Sequence, residues 1–265
     1  MNVKQRATTR SAGRALRWPI VMASMMLTMS VSLMPHANAQ ANDADKILKK
    51  MFDYVAGQKT LSITFDSDIE VITSNLQKIQ FTSSGQVQLS RPDKLRVTRT
   101  GGYKDVEIVF DGKTLTMNNK DANDFAQVES PGSTDQLIDL LREKHGVVAP
   151  GADLLFSNAF DVMMADVIEG VQIGQGVIDG VECDHLAFRN LDTDWQIWIE
   201  LGEFPLPRKV VIRTLTDDAK PQHREVLTWN LAPSFNEKAF IFDPPANAHR
   251  ITIAEVNASA AKNNK

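Results

Sequence analysis

The chain has 265 residues, 43% of them hydrophobic, and a formal net charge of −4 from 29 Lys+Arg against 33 Asp+Glu. Five of the basic residues, Lys4, Arg6, Arg10, Arg14 and Arg17, fall in the first 39 residues, which hold no acid; without that segment 24 basic residues face 33 acidic ones, a charge near −9. So acidic a surface argues against nucleic acid as a partner and against unassisted docking on an anionic membrane, and the single cysteine, Cys183, excludes an internal disulfide.

The basic leader is followed by an apolar run from Ile20 to Met34 and by Ala37-Asn38-Ala39, small residues in the A-x-A spacing. This pattern predicts a secretory signal peptide cut after Ala39. The rival, an N-terminal membrane anchor, needs about 20 apolar residues, more than this run supplies. No cysteine near the cut offers a lipid attachment point, and no twin-arginine pair is present. The expected organisation is a signal peptide over 1–39, one domain over 40–255 and a disordered tail over 256–265, with a periplasmic destination and no transmembrane segment in the mature chain.

Ala44, Ile47, Leu48, Met51, Phe52 and Val55 recur at helical spacing after Asn42 and Asp43, with Gly57 following, which predicts a capped amphipathic helix. From Lys59 the period changes to two: Leu61, Ile63 and Phe65 share one face, and a second strand runs from Leu76 through Ile79 and Phe81. The stretch from Gly85 to Met117 reads as three or four antiparallel strands, with turns at Arg91-Pro92 and Asp111-Gly112, and strands continue to about Val128. Ser130-Pro131-Gly132-Ser133 ends this run. Two or three helices are expected between about 134 and 167, apolar over a wide arc that includes Leu155, Phe160 and Met164, with Asn158 as a candidate cap. Strands resume after Gly170: Val171 to Ile178, Val181 to Arg189, Asp194 to Leu201, Arg208 to Thr216 and Arg224 to Leu231. Phe240-Ile241-Phe242-Asp243-Pro244-Pro245 closes the ordered part, with one more strand a candidate at Ile251 to Ala254. The fold class is therefore α+β: a strongly curved, unclosed antiparallel sheet of about 11 strands, an N-terminal helix, and helices as a lid or plug in its concave face.

The residues point to no catalytic set, no metal and no cofactor. His145, His185, His223 and His249 lack metal-ligand spacing. Cys183 reads either as a reactive thiol or as a small buried hydrophobe, and Asp184 and His185 beside it alternate between faces of a strand. Gly174-Gln175-Gly176 has the wrong spacing and context for a dinucleotide loop. Trp195 and Trp198, three apart on one strand, should point to opposite faces, while Trp229 reads as core.

The N-terminal helix, Arg91-Pro92, Asp111-Gly112-Lys113-Thr114-Leu115, the intervening helices and Phe240-x-Phe242-x-Pro244-Pro245 resemble, in order and spacing, the LolA superfamily of periplasmic lipoprotein carriers. Cys183 to Arg189, Asp194-Trp195-Gln196-Ile197-Trp198 and Pro205-Leu206-Pro207-Arg208-Lys209 look like an uncharacterised family of predicted periplasmic proteins thought to share that fold. The resemblance implies a carrier, not an enzyme, with an apolar groove for a lipid, an acylated protein or another amphiphile. It implies that Arg91 latches the helices by hydrogen bonds, with groove walls from Phe65, Leu89, Leu95, Phe110, Leu155, Phe160 and Met164. An envelope protein-interaction or sensor module with a filled groove is the alternative.

Overall fold

The computed structural model describes residues 37–101, 104–145, 151–236 and 238–253. The expected signal peptide, except for its last three residues, and the expected tail lie outside them. No described helix is long and apolar enough to cross a membrane.

Helix α1 spans Ala37–Ala56. It starts earlier than expected, so Asn42 and Asp43 lie inside it instead of capping it; the alanines at 37, 39 and 41 favour helix and carry it back. Six strands follow in hairpin succession: β1 (Thr60–Ile72), β2 (Lys78–Ser90), β3 (Lys94–Gly101), β4 (Val106–Phe110), β5 (Thr114–Asn119) and β6 (Asp124–Glu129). Then come α2 (Thr134–His145), a 3-10 turn (Ala152–Leu155) and α3 (Ala159–Met164). Asn158 occupies the N-cap position of α3 but makes no side-chain cap bond. The second strand run is β7 (Glu169–Ile178), β8 (Val181–Arg189), β9 (Thr193–Glu200), β10 (Pro207–Thr214) and β11 (Gln222–Asn230), and a two-residue β12 (His249–Arg250) ends the series.

All twelve strands form one sheet in the order β12-β6-β5-β4-β3-β2-β1-β11-β10-β9-β8-β7. Every pairing is antiparallel except β12 with β6. The strand total exceeds the expected 11, and the extra strand falls at His249 instead of Ile251. The sheet is unclosed, as expected, with its end strands β12 and β7 unpaired with each other, but the strong curl that was expected is corrected: the sheet is not strongly curled.

Turn chemistry sets the register. At the β4–β5 corner, Asp111 Oδ1 accepts from the backbone of Lys113 at 2.9 Å and of Thr114 at 2.7 Å, an Asx turn that Gly112 completes at φ 89. With registers fixed, side chains line up in rows across strands. One row reads Val128, Leu115, Phe110, Leu95, Leu89, Leu61 from β6 to β1, and the next reads Ala126, Met117, Ile108, Val97, Val87, Ile63 and then Trp229 on β11. These rows face Leu48, Met51 and Phe52 of α1, Leu137 and Leu141 of α2, and Leu154, Leu155 and Ala159 beyond it, in one continuous core. Leu186, Ile197, Val210 and Leu227 extend that core across the second strand run.

The other sheet face is covered in part by the C-terminal segment. Phe240 is buried, Phe242 packs on Phe125 with ring centroids 5.3 Å apart, and Arg96 Nη1 donates to the Ala239 carbonyl at 2.9 Å. A small cavity of about 90 Å³ lies between Phe240, Phe242 and Val109.

Gly85 shows how tightly the rows pack: a Cβ there would stand 2.3 Å from both the Phe65 ring and the Thr98 carbonyl. Gly85→Val is expected to lower the free energy of unfolding by about 1–3 kcal/mol through overpacking, read as a reduced urea midpoint. An unchanged midpoint would mean that the Phe65 ring does not lie over that strand.

Candidate binding face

The seven predicted groove residues come together on one face. Leu89, Leu95 and Phe110 are consecutive members of the first apolar row and are buried. Leu155, in the 3-10 turn, is buried in the same core, while Phe65, Phe160 and Met164 are half-buried and packed against it. The strand residues share this face because alternation gives each a same-parity apolar partner on a neighbouring strand. The helices fill the space over these rows: Leu154, Leu155 and Phe156 are each at most 6% exposed.

Arg91 stands at one end of this face, in the β2–β3 turn. The turn is tied to the start of α2, where Thr134 donates both its backbone N–H at 2.8 Å and its Oγ1 hydroxyl at 3.1 Å to the Pro92 carbonyl. Asp135, one residue on, accepts from the Ser157 backbone at 3.2 Å and from its hydroxyl, which joins α2 to the segment before α3. Within this corner Arg91 Nε and Nη2 are buried and have no hydrogen-bond partner. Burial pushes the guanidinium pKa down and the charge of Asp135 pulls it back up. The resemblance implies hydrogen bonds from this arginine to the helices; Nε and Nη2 make none in this state.

Two further features were not read from the sequence. On β11, His223 and Glu225 share the parity of Leu227 and Trp229, so both point to the helix-covered face; Nε2 and Oε1 lie 2.9 Å apart, and each side chain is 13% exposed. His223 Nδ1 is buried without a partner. Glu225 is the register neighbour of Ser67 on β1, which faces Ser83 on β2; the two hydroxyls are 2.8 Å apart, and Arg99 Nε donates to Ser83 Oγ at 2.9 Å. The signal was present in the two-residue spacing of His223, Glu225 and Leu227, but charged residues in a strand read more readily as its solvated side.

The opposite sheet face holds Cys183, His185 and Trp198. Trp195 and Trp198 do part to opposite faces: Trp195 stacks on Phe188 in the core at 4.2 Å, while Trp198 stacks on His185 at 4.1 Å with Lys209 Nζ 4.5 Å from its ring centre. Trp229 packs against the core and donates Nε1 to the Pro207 carbonyl at 2.7 Å. Cys183 is fully buried, and burial pushes its thiol pKa up against the opposing pull of Arg208. It behaves as a small hydrophobe.

Residues 44–254 match the model of a family described as predicted periplasmic protein (DUF2092). Among curated proteins no sequence matches. Three solved structures illustrate the spatial similarity. LprF from Mycobacterium bovis is 15% identical, with 77% of this chain and 98% of that one covered at a TM-score of 0.47. An uncharacterized conserved protein from Thermus thermophilus is 12% identical, over 79% of this chain and 99% of that one, at 0.46. A LolA superfamily protein from Nitrosomonas europaea is 14% identical, over 76% and 98%, at 0.37.

The buried thiol gives a pH prediction. In the unfolded chain Cys183 ionises near the ordinary thiol range, about 8.5, whereas the folded state holds it protonated above that value. Its contribution is therefore complete below the unfolded pKa and is lost as pH rises from there through the folded one. Cys183→Ala should flatten the alkaline limb of a stability–pH curve followed by urea unfolding, and an identical limb in both proteins would assign that loss to other groups.

Proposed function

Because the chain belongs to the DUF2092 family of predicted periplasmic proteins, we propose that it is exported to the periplasm, is cut after Ala39, and there binds a lipid, a lipoprotein acyl chain or a similar amphiphile on its helix-covered sheet face, without chemistry on the cargo. The observation that carries the reading is the Arg91 corner. A fold that needed α2 and α3 only as permanent core would gain nothing from a guanidinium whose Nε and Nη2 are buried and unpaired, since each such group costs about 1–3 kcal/mol. Beside the Pro92–Thr134 tie, the same arginine makes sense as a latch whose donors are used when the helices shift. The tie then serves as the pivot.

The energetics permit such a shift. Lifting the helical segment exposes Leu154, Leu155 and Phe156, which are buried here, at about 1.5–3 kcal/mol each. An acyl chain laid on the apolar rows returns about 0.8 kcal/mol per buried methylene, so a chain of about six to eleven methylenes offsets the exposure. Leu89, Leu95 and Phe110 would form the floor, with Phe65 at its far end and Leu155, Phe160 and Met164 on the movable side.

The filled state of the face favours a second reading, an envelope protein-interaction module that never opens. Native mass spectrometry of protein purified from the periplasm separates the two. A bound species of lipid mass on a polypeptide beginning at Gln40 is the expected result; a stoichiometric protein partner without lipid would favour the module, and a polypeptide retaining residues before Gln40 would refute the assigned cut.

For the latch, Arg91→Met should keep or raise the urea midpoint, because it removes unpaired buried donors, and should change the release rate of a fluorescent fatty acid at least fivefold. A variant that binds and releases the probe like the parent would remove Arg91 from the mechanism.

A further inference from the structure

The two edges of the sheet are built differently. An open strand edge carries unpaired N–H and C=O groups, and proteins guard it with very short strands, charges, prolines or bulges. One edge here is β12, two residues long, with His249 and Arg250 both exposed. The other is β7, ten residues long, which pairs with β8 on one side and with no described strand on the other. From Gly170 to Ile178 it holds neither a charge nor a proline, and Ile173 and Val177 are 57% and 63% exposed. A bulge at Gln172 to Gly174 interrupts its first half. Beyond the bulge, Gln175 is exposed as well.

The phase of the backbone bonds follows from the hairpin. Asp179 and Gly180, at φ 49 and 83, form the two-residue turn between β7 and β8. The residues flanking such a turn, Ile178 and Val181, exchange both backbone bonds. Alternation along the antiparallel ladder then turns the N–H and C=O of Gly176 toward β8, and those of Gln175 and Val177 toward the open edge.

This segment is its own complement. When two copies pair antiparallel about Gln175, the two Gln175 residues exchange backbone bonds, and Ile173 of each copy lies opposite Val177 of the other, a β-branched pair of the kind that stabilises sheets. No like charges meet, because none lies between Gly170 and Ile178. Gly174, where a Cβ would meet nothing within 4 Å, leaves room beside the axis for a second backbone.

We propose that β7 is a dimerisation edge: a second copy of this chain adds its own β7 antiparallel, about a twofold axis centred on Gln175, and joins the two sheets into one. Pairing about an axis normal to the sheet keeps the helix-covered faces of both copies on the same side. The inference is independent of what those faces bind.

Analytical ultracentrifugation of the mature protein should show a reversible equilibrium between monomer and dimer. Gln175→Lys sets two like charges opposite each other and should weaken that equilibrium at least tenfold. Gln175→Cys should give a disulfide-linked dimer in mild oxidant, since opposed Cα atoms in such a pair lie about 5.5 Å apart, within the span of a disulfide. Glu169→Cys would stand about 40 Å from its twin in this register and should stay monomeric on a non-reducing gel, as should the parent, whose Cys183 is buried. Both substituted positions are exposed, so the fold should tolerate them. A parent that sediments only as monomer overturns the proposal. Self-association unchanged by Gln175→Lys, or equal cross-linking from positions 169 and 175, overturns it too.

Discussion

A twelve-stranded sheet with one apolar face must cover that face, and the rest of this structure follows from how it does so. Rows such as Val128 through Leu61 present contiguous hydrocarbon across six strands, far more than a soluble surface tolerates bare. The cover comes from two separate parts of the chain, α1 before the first strand and α2 to α3 between the two strand runs. Placing the second cover between the runs forces the chain to leave the sheet at Glu129 and return at Glu169. The corner where it leaves is where Arg91 keeps Nε and Nη2 buried without a hydrogen-bond partner.

The two faces balance their charges differently. On the face that bears the C-terminal segment, Arg96 and Glu107 pair at 2.7 Å, Asn118 adds a 3.3 Å bond to the same carboxylate, and the Ala239 carbonyl completes the guanidinium. That network is satisfied among its own members, as buried charge in a permanent structure should be. On the helix-covered face, Arg91 and His223 keep nitrogens without partners. Among the described residues, the buried nitrogens without partners lie beneath the helices, while the Arg96–Glu107 network on the other face is paired.

Most of the sheet was legible because alternation and turn chemistry agree. From Gly85 to Met117 the apolar residues of one parity have apolar register partners, except Val106, which lies between Arg99 and Asn119, and Arg91-Pro92 and Asp111-Gly112 fall at the corners between them. That the residues expected to line a groove share one face was legible for the same reason, since periodicity reports a face even when it cannot report what covers it. Local pattern failed where a nonlocal contact decides the outcome. Phe240 and Phe242 read only as the close of the ordered part, yet they anchor an irregular segment through burial and ring packing, and the strand that was a candidate at Ile251 forms instead at His249, in parallel with β6. His223 and Glu225 were obscured by polarity, and the curl of the sheet was beyond reach because strand number alone does not determine whether distant edges meet.

The strand order holds one seam. On one side, β1 to β6 are neighbours in sequence order; on the other, β7 to β11 are; only the β1–β11 ladder joins them, pairing Ser62 with Asn230 and Ile69 with His223. Each side is a run of hairpins that closes short loops, whereas the seam closes a loop of most of the domain, the contact that costs the most chain entropy. A chain threaded into its compartment from the N-terminus would present β1 as an open edge until β11 arrived. The interval between the two halves is when an exposed strand edge stands most in need of protection from other chains.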